Sequence, residues 1–429
     1  MDHDPNQPID ADKAWEILTS EESPRNQDPS QPESLPYGQQ PPLDELPQPL
    51  KKRSSRWPRT LLVLLAGLLI LGCIGGTLTA RLVSFLQQAR PLPSSSLKQG
   101  PYEIIAGPDG NLWFTELGGN KIGRITPQGH ITEFAVTAMS MSITAGPDGA
   151  LWFLESAVGK IGRITTSGTV TEFALPTKGS YPDDIIAGPD GALWFTDFGS
   201  NKIGRITTNG TITEFAIPIK DSSPVQIIAG PDGALWFNET ASNSIGRITT
   251  KGRITEFALA TEYNTADQLI VGPDGAIWFT DGSSNRIGRI TTKGVITEFV
   301  IPQGTNTIVV PGIAVGPDGA IWFFDGATRV DRITTKGSIT KFALPPATDS
   351  FPGGITAGPD GAIWVIDASN RIGRITTNGT ITEFTLPTKD SFPSGITAGP
   401  DGALWFTESG DKIGRITTQG RITEFALPT

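Results

Sequence analysis

The chain has 429 residues and a formal net charge of −10 at pH 7. An acidic chain lacks the basic face that binding to phosphates requires, which excludes nucleic acid as a partner. The sequence contains one cysteine, Cys73, and therefore no disulfide framework, so packing must hold the fold together.

The N-terminal segment is polar. Residues 1–50 are rich in Pro, Gln, Asp and Glu and poor in apolar side chains, so they cannot bury enough surface to offset their ordering entropy. We predict that residues 1–59 form a disordered tail that ends in a basic cluster. Its cations are Lys51, Lys52, Arg53, Arg56 and Arg59.

Residues 60–80 form an uncharged, mainly apolar stretch. As a helix it would span roughly 30 Å, enough to cross the hydrocarbon core. Most nearby cations precede it and only Arg81 follows closely, so the positive-inside rule puts the tail in the cytoplasm and the rest outside. We predict a single-pass cell-membrane protein with a linker over 81–100. A cleaved signal peptide and lipidation at Cys73 are weaker alternatives.

A repeat occupies the remainder, residues 101–429. Its period is roughly 42 residues, which is typical of propellers and solenoids. The tetrapeptide Gly-Pro-Asp-Gly marks each copy, beginning at Gly107, Gly146, Gly188, Gly230, Gly272, Gly316, Gly358 and Gly399.

Each copy contains four short runs rich in Ile, Thr, Phe and Trp, separated by turn residues. Pro-Asp-Gly and Thr-Thr-x-Gly are hairpin turns, because Pro presets φ and Gly accepts a positive φ. Four antiparallel strands per copy predict an all-β fold, a β-propeller of four-stranded blades. Eight complete sets favour eight blades, with seven as the alternative.

Two side chains recur as structural elements. A Trp in every second strand is predicted to be core, because both faces of a blade are covered by its neighbours. An Arg in the third strand of most copies is predicted to form ion pairs at the blade edges. These arginines are Arg124, Arg163, Arg205, Arg247, Arg289, Arg374 and Arg415.

An acidic residue ends the second strand of every copy, and strand direction places it at the end where the inner strands begin. Carboxylates prefer hard cations, so the row predicts a site for Mg²⁺ or Ca²⁺, with Asp197, Asp281 and Glu239 as candidate ligands. The alternative is that each acid accepts hydrogen bonds from the loop that follows it. The full row is Glu116, Glu155, Asp197, Glu239, Asp281, Asp325, Asp367 and Glu408.

The recurring G-x-D-G-x-[LI]-W-F-T-E and I-G-R-I-T-x-x-G-x-I-T-E-F-x-L-P motifs resemble the virginiamycin B lyase (streptogramin lyase) family over about residues 101–429. The resemblance implies a seven-bladed propeller. It also implies an Mg²⁺-dependent elimination that opens type B streptogramins, with a Glu-Pro-His-Gly-Ile segment supplying the base. Gly100-Pro101-Tyr102 is similar to the segment with a substrate-side Tyr in that family, which makes Tyr102 a candidate ligand-binding residue.

The chain departs from the family at the base. Its two histidines, His3 and His130, lie in the tail and near a turn between the third and fourth strands. A carboxylate could replace the His if burial or like charges raised its pKa. The candidates are Asp183 and Asp267. The aligned positions are Tyr102, Met141, Asp183, Val225, Asp267, Pro311, Gly353 and Ser394.

Three functions follow from these residues. The first is a membrane-anchored extracellular propeller that binds a small molecule or a protein at its mouth, with Tyr102, Glu103 and Asp184 as contacts. The second is a lyase with a rebuilt base. The third is a hydrolase of lactones or carbohydrates that uses Ca²⁺, which rests on fold analogy alone.

Overall fold

The structure is a computed structural model. It describes residues 100–428, apart from 118, 260–265, 282–284, 303–311, 327, 345–352 and 368–369. The predicted tail (1–59), the predicted membrane helix (60–80) and nearly all of the linker lie outside the described residues. Within the described part, no helix has the length and apolar character needed to cross a membrane.

Thirty-two strands form eight antiparallel four-stranded sheets, each ordered along the chain from the inner to the outer strand. Blades 1 to 4 comprise β1 (Pro101–Ala106), β2 (Leu112–Glu116), β3 (Lys121–Ile125), β4 (Ile131–Ala135), β5 (Ile143–Ala145), β6 (Leu151–Glu155), β7 (Lys160–Ile164), β8 (Val170–Ala174), β9 (Pro182–Ala187), β10 (Leu193–Asp197), β11 (Lys202–Ile206), β12 (Ile212–Ala216), β13 (Pro224–Ala229), β14 (Ala234–Glu239), β15 (Ser244–Thr249) and β16 (Ile254–Ala258).

The second half of the ring repeats this arrangement. Blades 5 to 8 comprise β17 (Ala266–Val271), β18 (Ile277–Asp281), β19 (Arg286–Ile290), β20 (Ile296–Val300), β21 (Ile313–Val315), β22 (Ile321–Phe324), β23 (Arg329–Ile333), β24 (Ile339–Ala343), β25 (Ile355–Ala357), β26 (Ala362–Ile366), β27 (Arg371–Thr376), β28 (Ile381–Thr385), β29 (Pro393–Ala398), β30 (Leu404–Glu408), β31 (Lys412–Ile416) and β32 (Ile422–Ala426). The described helix is one 3-10 turn, Ser156–Val158.

The ring closes between blades 8 and 1 without a shared sheet. Each inner strand contacts the inner strands on both sides, and β1 contacts β29. At this junction Trp405 packs with Ile104 and Phe114, and the Thr407 hydroxyl donates a hydrogen bond to the carbonyl of Tyr102 at 2.9 Å. The prediction of eight blades is confirmed. The seven-blade alternative is wrong, because the eighth sheet is complete and closes directly onto the first.

The core lies between blades and is built from the second strands. The eight tryptophans of the repeats are fully buried. In blade 4, for example, the Trp236 ring stacks on Phe257 with centroids 5.5 Å apart, and its indole N–H donates to Asp232 at 3.1 Å. The neighbouring blade contributes Phe279 to the same cluster. The predicted structural role of these tryptophans is therefore confirmed.

The Asp of each Pro-Asp-Gly turn also holds the repeated Arg. Arg247 Nε lies 2.7 Å from Asp232 Oδ2, and the same pair recurs in the other blades from 2 to 8. Blade 1 differs. There the Asn111 amide donates a hydrogen bond to Asp109, and Arg124 donates instead to the carbonyl of Thr166 at 2.8 Å. The prediction of ion pairs is confirmed for six of the seven arginines and is wrong for Arg124. The pairs are Arg163–Asp148, Arg205–Asp190, Arg247–Asp232, Arg289–Asp274, Arg374–Asp360 and Arg415–Asp401, and Arg332–Asp318 forms a further pair in blade 6.

One position of the second strand sets the length of the inner strand. In blades 1, 3, 4, 5 and 8 a Thr or Asn accepts a hydrogen bond from the inner strand, as Thr115 does from the backbone N–H of Glu103 at 3.1 Å. The inner strand then has six residues and a register shift. Blades 2, 6 and 7 have Leu154, Phe324 and Ile366 at this position, and their inner strands have three residues.

Candidate functional site

A single inner-strand position lines the centre of the propeller. We call these residues the channel ring; each lies four residues before the first glycine of its Gly-Pro-Asp-Gly turn. Polar side chains fill the ring in blades 1 to 5, and glycine fills it in blades 6 to 8. Its members are Glu103, Ser142, Asp184, Gln226, Gln268, Gly312, Gly354 and Gly395.

Blades 1 to 3 are tied together by side chains of the channel ring. The Glu103 carboxylate accepts a hydrogen bond from the backbone N–H of Ile143 in blade 2 at 2.8 Å. The Ser142 hydroxyl donates to Asp184 in blade 3 at 3.1 Å. Each of these links runs from one inner strand to the next, so the polar side chains act as spacers between blades.

The same pattern continues into blades 4 and 5. Asp184 accepts the backbone N–H of Ile227 at 3.0 Å. The Gln226 amide carbonyl accepts the N–H of Leu269 at 2.6 Å, and its NH₂ group donates to the Leu269 carbonyl at 3.4 Å. Each polar side chain from blade 1 to blade 4 is thus engaged by the following inner strand.

The channel-ring glycines of blades 7 and 8 allow adjacent inner strands to approach backbone to backbone, and a Cβ at Gly312 of blade 6 would lie 2.7 Å from the Phe324 ring. The N–H of Gly354 donates directly to the carbonyl of Ser394 in blade 8 at 2.8 Å. A Cβ at Gly395 would lie 2.9 Å from the carbonyl oxygen of Tyr102 in blade 1. Close packing therefore requires glycine here, and no side chain from these positions extends into the channel.

This asymmetry leaves a cavity of about 310 Å³ against blades 6 to 8. Its apolar wall includes Ile313, Ile355 and Ile396, of which the last two are half-buried, whereas the equivalent residues of blades 1 to 5 are at most 4% exposed. The cavity is bounded by Glu103 at one side and Gln268 at the other. The other lining residues are Ile104, Gly312, Gly354 and Gly395.

Gln268 differs from its neighbour in the ring. Both the carbonyl and the NH₂ group of the Gln226 amide form hydrogen bonds with the backbone of Leu269. Among the described residues, the Gln268 side-chain amide has no hydrogen-bond partner, and its backbone N–H donates to the Thr280 hydroxyl at 3.2 Å. Because a glutamine amide carries both donors and an acceptor, Gln268 presents a polar group of either kind to the cavity.

Three carboxyl groups interact within the channel. Burial raises the pKa of Glu103 from 4.5 to about 8; the Asp184 carboxylate adds to the shift, and the hydrogen bond from Ile143 opposes it. Burial also raises the pKa of Asp183 to about 7, again with a contribution from Asp184. The pKa of Asp184 is itself raised by burial, against its hydrogen bonds. The channel therefore holds carboxyl groups that are partly or largely neutral near pH 7.

The structure brings four of the predicted site residues together. Burial and the nearby Glu103 and Asp183 carboxylates raise the pKa of Tyr102. The Asp184 carboxylate in turn raises the pKa of Glu103 and of Asp183. Asp267 lies beside Gln268 on β17 and its carbonyl accepts a hydrogen bond from Asn238 at 3.0 Å. The roles assigned to these residues remain predictions.

The row of acids does lie where the inner strands begin, because Asp197, Glu239 and Asp281 pair in register with the first residues of their inner strands. Its members are buried, however, and bond to their own loops. Asp197 accepts from the Ser200 hydroxyl at 2.6 Å, and Glu239 accepts from the Ser242 hydroxyl at 2.9 Å. The alternative interpretation, hydrogen bonding to the following loop, is confirmed for these two acids.

The three metal candidates belong to three different blades. Among residues 100–428 that the structure describes, no three His, Cys, Asp or Glu side chains are close enough to share a metal ion. The described residues therefore do not fit Mg²⁺ or Ca²⁺ as a three-ligand site, and a cation at this mouth stays a prediction. His130 lies exposed between β3 and β4, away from the inner strands.

Sequence reasoning missed Gln268 and the three glycines of the channel ring. The signal was available, because aligning the eight copies on Gly-Pro-Asp-Gly places Gly312, Gly354 and Gly395 in a column that is polar in the other five copies. The steric role of these glycines becomes apparent only when adjacent inner strands are placed side by side.

The fold and the site together define an eight-bladed β-propeller with a cavity at one side of its central channel. The chain belongs to the virginiamycin B lyase family, whose sequence profile matches residues 82–307 and 264–429. The predicted resemblance is therefore confirmed. No curated protein matches the chain.

Solved structures agree with this assignment. A streptogramin B lyase is 36% identical with a TM-score of 0.56, covering 66% of this chain and 93% of that one. Virginiamycin B lyase from Staphylococcus aureus is 39% identical with a TM-score of 0.56, covering 64% and 94%. A catalytically inactive His-to-Ala variant of the S. aureus enzyme, solved with quinupristin, is 40% identical with a TM-score of 0.55 and the same coverages, 64% and 94%.

Proposed function

We propose that this protein is a membrane-anchored ligand-binding propeller that takes a small molecule into the cavity of its channel. The observation that carries the proposal is the 310 Å³ cavity, which combines an apolar wall with polar groups at its two sides. Concave sites in which a few polar groups converge are a usual form of small-molecule sites.

The lining restricts the chemistry of the ligand. Glu103, with a pKa of about 8, is mainly protonated at pH 7 and can donate a hydrogen bond. Gln268 can donate or accept. The half-buried Ile355 and Ile396 favour an apolar body. A compact, uncharged ligand with a carbonyl or amide group suits this combination.

Lyase activity is the second candidate. The relatives named above are lyases, and Asp183, with a pKa of about 7, could accept a proton near neutral pH. The binding function is favoured because the chain's two histidines are His3, which precedes the repeats in sequence, and His130, which lies between β3 and β4. A shared scaffold does not transfer activity by itself.

The two candidates separate in one experiment. Protein spanning residues 82–429 is incubated with quinupristin and Mg²⁺, binding is measured by calorimetry, and products are identified by mass spectrometry. Binding without ring opening, weakened at least tenfold by Gln268→Ala, supports the proposed function. Ring opening that Asp183→Asn abolishes would establish the lyase instead. If quinupristin does not bind, a screen of uncharged cyclic amides against the same variant decides whether the cavity binds any ligand.

The membrane anchor is part of the proposal and is tested separately. We expect the full-length chain to sediment with membranes, and deletion of residues 60–80 to release it. Protease added to intact cells should reach the propeller but not the N-terminal tail. Protection of the propeller would reverse the proposed orientation.

A further inference from the structure

A second pocket lies between blades 4 and 5, at the end of the ring opposite to the one where the inner strands begin. The turn between β15 and β16 and the turn between β19 and β20 form it. The two turns meet because Gly294 of blade 5 packs against Phe257 of blade 4, where a Cβ would lie 2.2 Å from the ring. Its volume of about 320 Å³ falls within the range of about 300–1,000 Å³ that small-molecule sites occupy. We call it the blade 4–5 pocket; Phe257, three cationic residues and three threonines line it.

The three cations come from both blades. Arg247 lies on β15, Arg253 lies in the turn that follows, and Lys293 lies in the turn of blade 5. Arg247 Nε is 2.7 Å from Asp232 Oδ2, so one carboxylate balances its charge. Among the described residues, neither the Arg253 guanidinium nor the Lys293 ammonium has a hydrogen-bond or ion-pair partner. Because like charges repel, two uncompensated cations lining one pocket favour an anion between them.

The other lining residues complement the cations. The Thr249 hydroxyl accepts the backbone N–H of Arg253 at 3.1 Å, which leaves its O–H to donate. Thr255 stands opposite Arg247 across β15 and β16, and Thr292 adds a third hydroxyl from blade 5. Hydroxyl, guanidinium and ammonium donors around one space suit the several acceptor oxygens of a phosphate group. The half-buried Phe257 supplies an apolar surface beside them.

The repeat shows that the groove is general and its charge is particular. Gly252 packs on Phe215 at the preceding junction as Gly294 does on Phe257, with a Cβ 2.0 Å from the ring. Two positions of the groove vary, namely the residue after the turn glycine of one blade and the residue before the turn glycine of the next. Cations fill both positions only between blades 4 and 5. The grooves with one cation pair Thr211 with Lys251, Val295 with Lys336, and Arg421 with Gln128.

We propose that the blade 4–5 pocket binds the phosphate group of a small phosphate monoester, with the organic group of the ligand over Phe257. The second pKa of such a phosphate is about 6, so it is largely a dianion at pH 7 and matches the two uncompensated charges. Guanidinium groups bind phosphate oxygens in pairs, which adds geometric selectivity. This inference does not rest on the proposed function, because the blade 4–5 pocket and the channel cavity share no lining residue.

The test compares cations of the pocket with cations of the one-cation grooves. Full-length protein in a non-ionic detergent is titrated with inorganic phosphate and with phenyl phosphate, and binding is followed by phosphorus NMR of the probe. Sodium chloride at about 0.15 M limits the Debye length to about 8 Å and suppresses diffuse attraction. Phenyl phosphate should bind more tightly than inorganic phosphate, because its ring can contact Phe257.

Arg253→Ala and Lys293→Ala should each weaken phenyl phosphate binding by about 5- to 20-fold, because each removes a charged donor. Arg421→Ala and Lys336→Ala, the matched controls, should change it by less than about twofold. All four variants should melt at or above the wild-type temperature, which keeps a loss of binding separate from a loss of folding.

Four outcomes would overturn the proposal. The wild-type protein could bind neither probe, the two pocket variants could bind like the wild type, or all four variants could lose affinity equally, which would indicate diffuse attraction. Tighter binding of a DNA duplex or of a short-chain phosphatidylglycerol than of phenyl phosphate would assign the pocket to a phosphodiester instead.

Discussion

Blades 1 to 5 and blades 6 to 8 share one scaffold and differ at the channel. In the first group, side chains such as Asp184 and Gln226 bridge successive inner strands. In the second, the ring position is glycine, and the N–H of Gly354 bonds directly to the backbone of the next inner strand. The outer three strands keep the same core in both groups. The channel ring alone therefore distinguishes the two groups. We call blades 1 to 5, with polar ring side chains, the bonded half of the channel, and blades 6 to 8, with glycine, the open half.

The comparison shows how a repeat protein can acquire a site without altering its framework. Because every blade buries its own Trp and pairs its own strands, a change in the channel ring does not propagate to the core. Eight near-identical units would produce a symmetric channel. Three glycines in succession break that symmetry and place a cavity on one side.

The largest expected effect tests whether the two halves share the same core. Trp236→Ala in blade 4 and Trp364→Ala in blade 7 should each lower the free energy of unfolding by about 3–5 kcal/mol. Both rings are fully buried and stack on a Phe at 5.5 and 5.7 Å. Urea denaturation followed by Trp fluorescence measures the loss.

Equal losses would confine the difference between the halves to the channel ring. A loss in blade 7 that is smaller by 2 kcal/mol or more would show that the open half is also loosely packed. The comparison would then concern whole blades rather than one position.

Most of the fold could be predicted from sequence because every copy of the repeat carries the same turn residues and core residues at the same spacing. Turn residues at fixed spacing delimit four strands, and a Trp in each copy requires a second covered face, so blade number and core follow by counting. The lengths of the inner strands could not be counted in this way. They depend on whether Thr115 or a residue such as Leu154 faces the inner strand, a contact within the blade that spacing does not reveal.

The next effect concerns pH and the carboxyl groups of the channel. Folding raises the pKa of Glu103 from 4.5 to about 8 and that of Asp183 from 3.8 to about 7. Within these pH ranges the folded chain therefore binds more protons than the unfolded chain. Stability must therefore fall as the pH rises from about 4 to 8. Turn acids such as Asp232, whose pKa is lowered, lose their contribution as the pH falls below about 4.

Glu103→Gln isolates the channel contribution. Glutamine keeps an acceptor for the N–H of Ile143 but cannot ionise. The variant should lose less stability than the wild type between pH 5 and pH 8, and it should be the more stable protein at pH 8. Melting temperatures of both proteins, measured at steps of half a pH unit, would show this difference in pH dependence. A profile parallel to that of the wild type would mean that Glu103 ionises in the folded channel without cost.

The candidate site was predictable only in part. The acidic residues at the starts of the inner strands, Glu103, Asp183 and Asp184, stand out in sequence because they are charged where most copies are not. The cavity leaves no such mark, since it arises from absent side chains and from the approach of Gly395 to the next blade.

The smallest expected effect gives the sharpest test of the comparison, because it uses the same substitution at two adjacent ring positions. Gln226→Ala should lower the free energy of unfolding by about 1–2 kcal/mol, since it leaves the N–H of Leu269 without its acceptor. Gln268→Ala should change it by less than about 0.5 kcal/mol, because its amide has no partner among the described residues. Gln226 does not line the cavity, so its variant should bind ligand like the wild type. If both variants lose equal stability, or if both weaken binding equally, the boundary between the bonded and open halves does not lie at blade 5.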